Sequence, residues 1–342
     1  MLRAMSSAVS GLQAQQTELD VIGNNIANVN TTGFQSSRVL FKDMFYSMVN
    51  SGSSEQNPSQ VGNGTQVGSI DKLMTREGAT QTDRALDLYI DGDGYFAVNS
   101  QSDGSGGTDY TRVGDFHVDS KGYLVDTNGK YVEGADSSSG TTTLGQGINL
   151  ESGNSLVTLV TSTGSIIPID SGNYSQLTNI AINSDGTISA SMGDQTGTLN
   201  TAKINSVGGN TGFSYGDLSD ITYDPTTSTY TATDNGTAGT ALDVGASGAI
   251  KIGIVNFANP DGLAEDGDSN FTATLSSGSA NCINEGTSSG VLIRSGELEM
   301  SNVDLAKEFT NMITTERGYQ SNARVITTSD EMVQELVNLK RS

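Results

Sequence analysis

Apolar residues recur along this chain with two different periods, and the change of period divides it into three stretches. From Ser301 to Lys340 the apolar positions fall mostly three and four apart: Leu305, Phe309, Met312, Tyr319, Ala323, Ile326, Val333 and Val337, widened by Met332, Leu336 and Leu339. This is the period of an α-helix with one apolar stripe. Asn302 or Asp304 can cap its start, Glu308 supports the first turn, and Lys340 and Arg341 stand where the helix dipole favours cations. At ~1.5 Å per residue such a helix reaches roughly 50 Å, so its stripe needs a partner outside one small core. Gly318 interrupts the helix interior at a cost of about 1 kcal/mol against Ala and marks an expected flex point.

The opposite end carries a second seam. Leu2, Met5, Val9, Leu12, Leu19 and Ile26 fall on one seven-residue repeat, with Gln16 and Gly23 at the two seam positions that are not apolar. The pattern predicts a helix over residues 1–29 that associates with the C-terminal one, giving a coiled-coil-like core domain of residues 1–30 with 301–342. Val9, Leu12, Leu19, Ile26, Leu305, Phe309, Met312, Tyr319, Ile326 and Val333 are the expected subunit-interface residues. The Asn-rich run Asn24, Asn25, Asn28 and Asn30 ends the first helix, and Asn30 to Gly33, tolerant of left-handed backbone, is the expected hinge. Phe41, Met44, Phe45, Met48 and Val49 follow at helical spacing and predict a short amphipathic segment over 38–49. The Ser/Gly/Asn stretch Asn50 to Gly64 has no apolar period and reads as flexible, so residues 31–65 form a linker.

Between the two ends the period shortens to two. Short alternating runs near 66–74, 86–90, 94–98, 110–113, 116–118 and 122–125 predict strands, and Asn128-Gly129 predicts a hairpin before Lys130-Tyr131-Val132. Further runs lie at 166–169, 180–182, 187–189 and 250–259. The expected fold is a mainly β body, residues 66–194 with 248–300. Residues 195–247 carry their own strand runs and are expected to form an inserted outer β domain, with 134–163 as a possible companion.

Composition narrows the function. Only 34% of the 342 residues are hydrophobic and there is no Trp, which favours thin β layers over one large globule. A net charge of -22 argues against nucleic acid and anionic membrane surfaces as partners. No stretch approaches a membrane span or an uninterrupted signal-peptide core, so neither membrane insertion nor a cleaved signal is expected. One Cys, Cys282, and one His, His117, provide no Cys/His zinc set and leave a nucleophilic triad dependent on a single imidazole. Asp91-Gly92-Asp93-Gly94 and Glu265-Asp266-Gly267-Asp268 have the alternating carboxylates of calcium loops, but the position eleven after Asp91 is Ser102, not the bidentate Glu of an EF-hand. Turn chemistry accounts for both. No enzyme activity, cofactor or metal is expected.

The two ends also carry a resemblance. Ser10-Gly11-Leu12, then Leu19-Asp20-Val21-Ile22-Gly23-Asn24-Asn25-Ile26-Ala27-Asn28-Val29-Asn30-Thr31-Thr32-Gly33-Phe34, resembles the N-terminal signature of the bacterial flagellar rod and hook family. Leu298-Glu299, Ser301-Asn302-Val303-Asp304-Leu305, Met312-Ile313, Arg317, Tyr319-Gln320, Asn322, Thr328 and Asp330-Glu331-Met332 resemble its C-terminal signature. Gln35 and Glu316 depart from it. Tyr110-Thr111-Arg112, Gly114, Phe116 and Leu124-Val125 are similar to the family's shared body domain, and 250–259 with Gly262-Leu263 is more similar to hook subunits. The resemblance implies an extracellular tubular homopolymer whose terminal helices line the inner core, exported by the flagellum's own apparatus. The implied partners are further copies of the chain and the other axial proteins: distal rod, hook-filament junction and hook cap. The implied function is a bendable hook joint that transmits torque. The alternatives are a distal rod subunit, which shares both signatures, and a secreted β-rich adhesin or calcium-dependent polysaccharide enzyme with borrowed terminal helices.

Overall fold

The structure, a computed structural model, describes residues 2–50, 57, 59–136, 143–148, 155–161, 166–169, 176–207, 218–224, 229–234, 237–244, 248–283 and 290–341. The chain divides into two units, one made of residues 1–75 with 301–342 and the other of 76–300.

The first unit contains both helices, α1 (Leu2–Ala27) and α2 (Leu305–Arg341), close to the expected spans. Asp304 caps α2, its Oδ1 accepting from the backbone N–H of Ala306 at 2.9 Å and of Lys307 at 3.2 Å. Between the helices lies a long antiparallel hairpin: β1 (Ser37–Asp43) pairs with β4 (Thr65–Lys72), and β2 (Tyr46–Asn50) with β3 (Ser59–Gly62). The helix expected over 38–49 is therefore not formed. The expected linker is also a strand over 59–62, while 51–56 and 58 lie outside the described residues. A bulge at Leu40/Phe41 and the break between β1 and β2 each reset the alternation of faces. Apolar residues that alternate within each strand consequently fall at spacings that mimic a helical turn.

The second unit is built on Tyr95–Asn99, a strand buried at every position. Period-two geometry sends Phe96 and Val98 to one face and Tyr95 to the other. Phe96 meets Phe116 edge to face at 5.1 Å, while Tyr95 packs on Phe257 and Phe271 at 6.0 and 5.9 Å. Among the described residues this strand belongs to an eleven-stranded sheet with the path Ala264–Gly267, Asn270–Thr272, Thr108–Thr111, Tyr95–Asn99, Tyr131–Asp136, Leu124–Asp126, Phe116–Val118. Asn128-Gly129 forms the expected turn, with Gly129 at φ 79° and its N–H donating to the Asp126 carbonyl at 3.0 Å.

A second sheet, nine-stranded among the described residues, gathers strands from Ser155–Thr161 to Gly248–Ala249. Its longest strand, Gln195–Val207, pairs with both Ser155–Thr161 and Ile188–Met192. The boundary expected at Gln195 thus lies inside a hydrogen-bonded sheet, joined to strands that composition had assigned to the body. Residues 208–217, 225–228, 235–236 and 245–247 of the expected insert lie outside the described residues. The two sheets share one apolar core, running from Leu88, Phe96 and Leu124 through Ile148 and Ile252 to Leu159, Ile188 and Leu199. A buried ion pair, Arg112 to Glu299 at 3.2 Å, adds a polar tie, with the guanidinium 5.3 Å from the Tyr95 ring and donating to the Gly92 carbonyl. The guanidinium is thus held on three sides, by Glu299, the Gly92 carbonyl and the Tyr95 ring.

Candidate assembly surface

Helix α1 packs on α2 through small and polar residues. Gly11 faces Asn322 so closely that a Cβ added there would lie 2.7 Å from the Asn322 Nδ2, and a Cβ at Gly318 would collide with the Gln15 amide. Asn322 Nδ2 donates to Gln15 Oε1 at 3.0 Å across the same contact. Ala8 and Ala14 on α1, and Thr315 and Ser329 on α2, are buried around it. Gly318 sits in an uninterrupted helix and lies against the Gln15 amide. The heptad pattern points to larger residues, one position away around the helix.

Those larger residues are left uncovered to different degrees. Val9, Leu305, Phe309 and Tyr319 are exposed, and Leu12, Leu19, Ile26, Met312, Ile326 and Val333 are half-buried. Beyond the expected set, Ile313, Met332, Leu336, Val337 and Leu339 are exposed on α2, Leu339 by 70%. The hairpin adds Phe41, Phe45, Met48, Val49 and Ile70, with Phe45 88% exposed. Isolated apolar side chains on a surface are ordinary, but rows of them along a helix and a ribbon mark an interaction surface. Sequence reasoning missed the hairpin because it read 38–49 as a helix, 50–64 as a flexible linker and 66–74 as a strand of the body, whereas Thr65–Lys72 pairs with β1 in the first unit.

The turn after α1 is tied on both sides. Asn30 is exposed, and Gly33 is buried with φ 65°. Asn25, itself buried, donates from Nδ2 to the Ser37 carbonyl at 2.8 Å and accepts from the Ser37 N–H at 3.0 Å. Asn302 accepts from the Ser36 N–H at 2.6 Å and donates to the Leu73 carbonyl at 2.6 Å and Thr75 Oγ1 at 3.0 Å. Asn302 is thus a cross-link between three segments of the first unit rather than a helix cap. Lys72 lies beside it, 5.5 Å from the Phe34 ring centroid and donating to the Gln35 carbonyl at 3.4 Å. Burial lowers its ammonium pKa to about 8.

The residues weighed for chemistry are placed as follows. Asp91 pairs with Arg294 at 2.6 Å and Arg76 at 3.8 Å, and Asp93 with Arg76 at 3.6 Å, so guanidinium groups occupy the carboxylates of that acidic turn. Glu265 to Asp268 form a strand end and a turn with Gly267 and Asp268 at positive φ. His117 is exposed on its strand opposite Val125, and Cys282 is half-buried opposite Val255. Among the described residues no three His, Cys, Asp or Glu side chains converge as a metal site, and no helix is long and apolar enough to cross a membrane.

Known proteins match along the length of the chain. Three family descriptions match: "Flagella basal body rod protein" over residues 5–35, "Flagellar hook protein FlgE/F/G D1 domain" over 89–190, and "Flagellar basal body rod FlgEFG protein C-terminal" over 294–339. The flagellar basal-body rod protein FlgG of Bacillus subtilis is 38% identical over 348 residues, covering 100% of both chains. The flagellar hook protein FlgE of Borreliella burgdorferi is 32% identical, covering 99% of this chain and 100% of the relative, and that of Escherichia coli is also 32% identical, covering 98% and 100%. The crystal structure of Helicobacter pylori flagellar hook protein FlgE2 aligns with 65% of this chain and 100% of its own at 12% identity and a TM-score of 0.29, a likeness too low to argue from. The terminal matches fall on the helices whose large apolar residues stand exposed, and full-length identity joins them to the body: the chain belongs to the flagellar hook and rod family of axial structural proteins.

Proposed function

We propose that this chain is a hook subunit that polymerises with further copies of itself through the exposed apolar residues of its terminal helices. The observation that carries the reading is the contrast on α1 and α2 between the close contact of Gly11, Gln15, Gly318 and Asn322 and the large apolar side chains left exposed, Val9, Leu305, Phe309, Tyr319, Met332 and Leu336 among them. Each Leu-sized side chain buried against a neighbour contributes about 1.5 to 3 kcal/mol, so a row of them outweighs the screened repulsion of acidic surfaces. In this reading the distal rod, hook-filament junction and hook cap are its neighbours, and the flagellar apparatus exports it without a cleaved signal.

A distal rod subunit is the second reading, favoured by the 38% identity to a rod protein over the whole of both chains. Deleting the gene in the source bacterium separates the two. A hook subunit leaves complete rods without hooks in electron micrographs of basal bodies, whereas a rod subunit leaves truncated rods. For self-assembly, Leu305→Asp combined with Phe309→Asp is expected to abolish polymerisation of the purified chain while leaving the melting of the β unit unchanged. Tubes of normal length from the double variant would refute the role given to the helices.

A further inference from the structure

Glu133 is a carboxylic acid buried within a sheet, 2% exposed on a strand that pairs with Tyr95–Asn99, Thr143–Gly147 and Lys251–Ile252. Its two oxygens have unequal surroundings. Oε1 accepts from Asn99 Nδ2 at 2.8 Å and from Thr108 Oγ1 at 3.1 Å. Oε2 is buried without a hydrogen-bond partner, and among the described residues no Lys, Arg or His forms an ion pair with the carboxyl. The bonded oxygen stands at the root of a loop, residues 100–107. Asn99, with no exposed surface, also donates to the Gly106 carbonyl at 3.2 Å and accepts at Oδ1 from the Gln101 N–H at 2.9 Å, so it grips the loop at both ends. Gly147, opposite Glu133 on the next strand, donates its N–H to the Ser102 carbonyl at 3.1 Å and ties the same loop to the sheet.

The other ionisable groups on the surrounding elements do not neutralise Glu133. Burial above all pushes the Tyr110 hydroxyl up, and negative charge on Glu133, Cys282 or Asp109 acts in the same direction. Lys130 pairs with Asp109 at 2.7 Å, and Lys251, opposite Ala135, attracts Asp185. Tyr95 lies against the Arg112 guanidinium, Tyr131 against the Tyr123 ring, and Asp126 accepts from the Asn128 and Lys130 N–H groups. Asp103, in the loop, is exposed and accepts from the Ser105 N–H and Oγ. Thr143–Gly147 has no ionisable side chain.

A buried carboxylate with one oxygen unpartnered is costly in its charged form, whereas a proton on Oε2 leaves the group neutral and keeps both bonds at Oε1. Once ionised, Glu133 gains water only if a segment around it moves. Its neighbouring strands are held in sheet ladders; the loop is held by Asn99 and by the Ser102–Gly147 bond. We propose that Glu133 is a pH-sensitive latch on residues 100–107: protonated, it holds the loop to the sheet through Asn99 and Thr108, and its ionisation lets the loop open. Burial raises its carboxyl above the ordinary 4.5, and the bonds from Asn99 and Thr108 offset only part of that rise. Stability from a group raised in this way is intact below about 4.5 and is lost as pH climbs from there through the folded value. The latch is independent of the self-assembly reading.

Amide exchange of the full chain, corrected for its intrinsic pH dependence, tests the latch. The Gln101 and Gly147 N–H groups are expected to lose protection about tenfold or more between about pH 4.5 and about pH 8, while amides across Tyr95–Asn99 keep theirs. Glu133→Gln keeps an acceptor at Oε1 and does not ionise, so its protection is expected to stay level over the same range. Asp103→Asn, which removes the loop's own carboxyl, is expected to retain the wild-type profile. A level wild-type profile overturns the latch, as does an equal slope in Glu133→Gln or a slope abolished by Asp103→Asn. Titration of the Glu133 carboxyl carbon by NMR in the wild-type chain decides the matter even where Glu133→Gln does not fold. A midpoint above 4.5 supports the latch, and one at or below 4.5 overturns it.

Discussion

Phe96 and Phe309 are the same side chain in opposite surroundings. The first lies in the β unit with no exposed surface, edge to face with Phe116, on a strand buried at every position. The second stands half in solvent on α2, on a helix whose own intrachain contact is made by Gly318, Asn322 and Thr315. The β unit spends its apolar residues on its own stability, whereas the helical unit leaves many of its large ones exposed. A helix with an uncovered stripe is marginal in water. The contrast therefore predicts different responses to matched changes.

The largest difference is expected between Phe96→Ala and Phe309→Ala. Removing a fully buried Phe costs about 3 to 5 kcal/mol, and removing one already in solvent costs less than about 0.5 kcal/mol. Urea denaturation followed in the β unit measures both, and similar losses would break the comparison. An intermediate effect, about 1 to 3 kcal/mol confined to the helical unit, is expected for Asn302→Ala, which leaves the buried Ser36 N–H without its acceptor. Amide exchange at Ser36 should accelerate while exchange across Tyr95–Asn99 stays slow.

The smallest effect concerns pH. Lys72 has a pKa of about 8 in the folded chain against an ordinary 10.5, because its burial disfavours the charged form. Between those values the unfolded chain binds the extra proton, so the helical unit gains stability as pH rises from about 8 to 10.5. Lys72→Met should flatten that part of the stability profile. A slope that survives the substitution assigns the titration to another group.

The terminal helices, most strands of the first sheet and the Asn128-Gly129 turn were legible because each depends on neighbours in sequence. Residues 38–49 were misread because a bulge at Leu40/Phe41 and the break between β1 and β2 interrupt the period of two. Gly318 looked like a weakness, yet it lies against the Gln15 amide, which the other end of the chain supplies. Asn302 has the composition of a cap, yet its partners Ser36 and Leu73 are hundreds of residues away in sequence. The membership of Gln195–Val207 in one sheet with Ser155–Thr161 is likewise a long-range pairing with no local signature. Apolar periodicity pointed to Val9, Leu305, Phe309 and Tyr319, which the structure leaves exposed, but not to the exposed residues of the hairpin.

The chain passes between its two units twice, at Thr75–Arg76 and at Met300–Ser301. On the helical side Asn302 fastens the segments entering these passages by its bonds to Leu73 and Thr75. On the β side Glu297–Glu299 runs antiparallel to Ala79–Gln81, and the Met300 N–H donates to the Gly78 carbonyl at 3.0 Å. A load pulled through this molecule is therefore carried by two covalent strands in parallel, each clamped to the other at both ends.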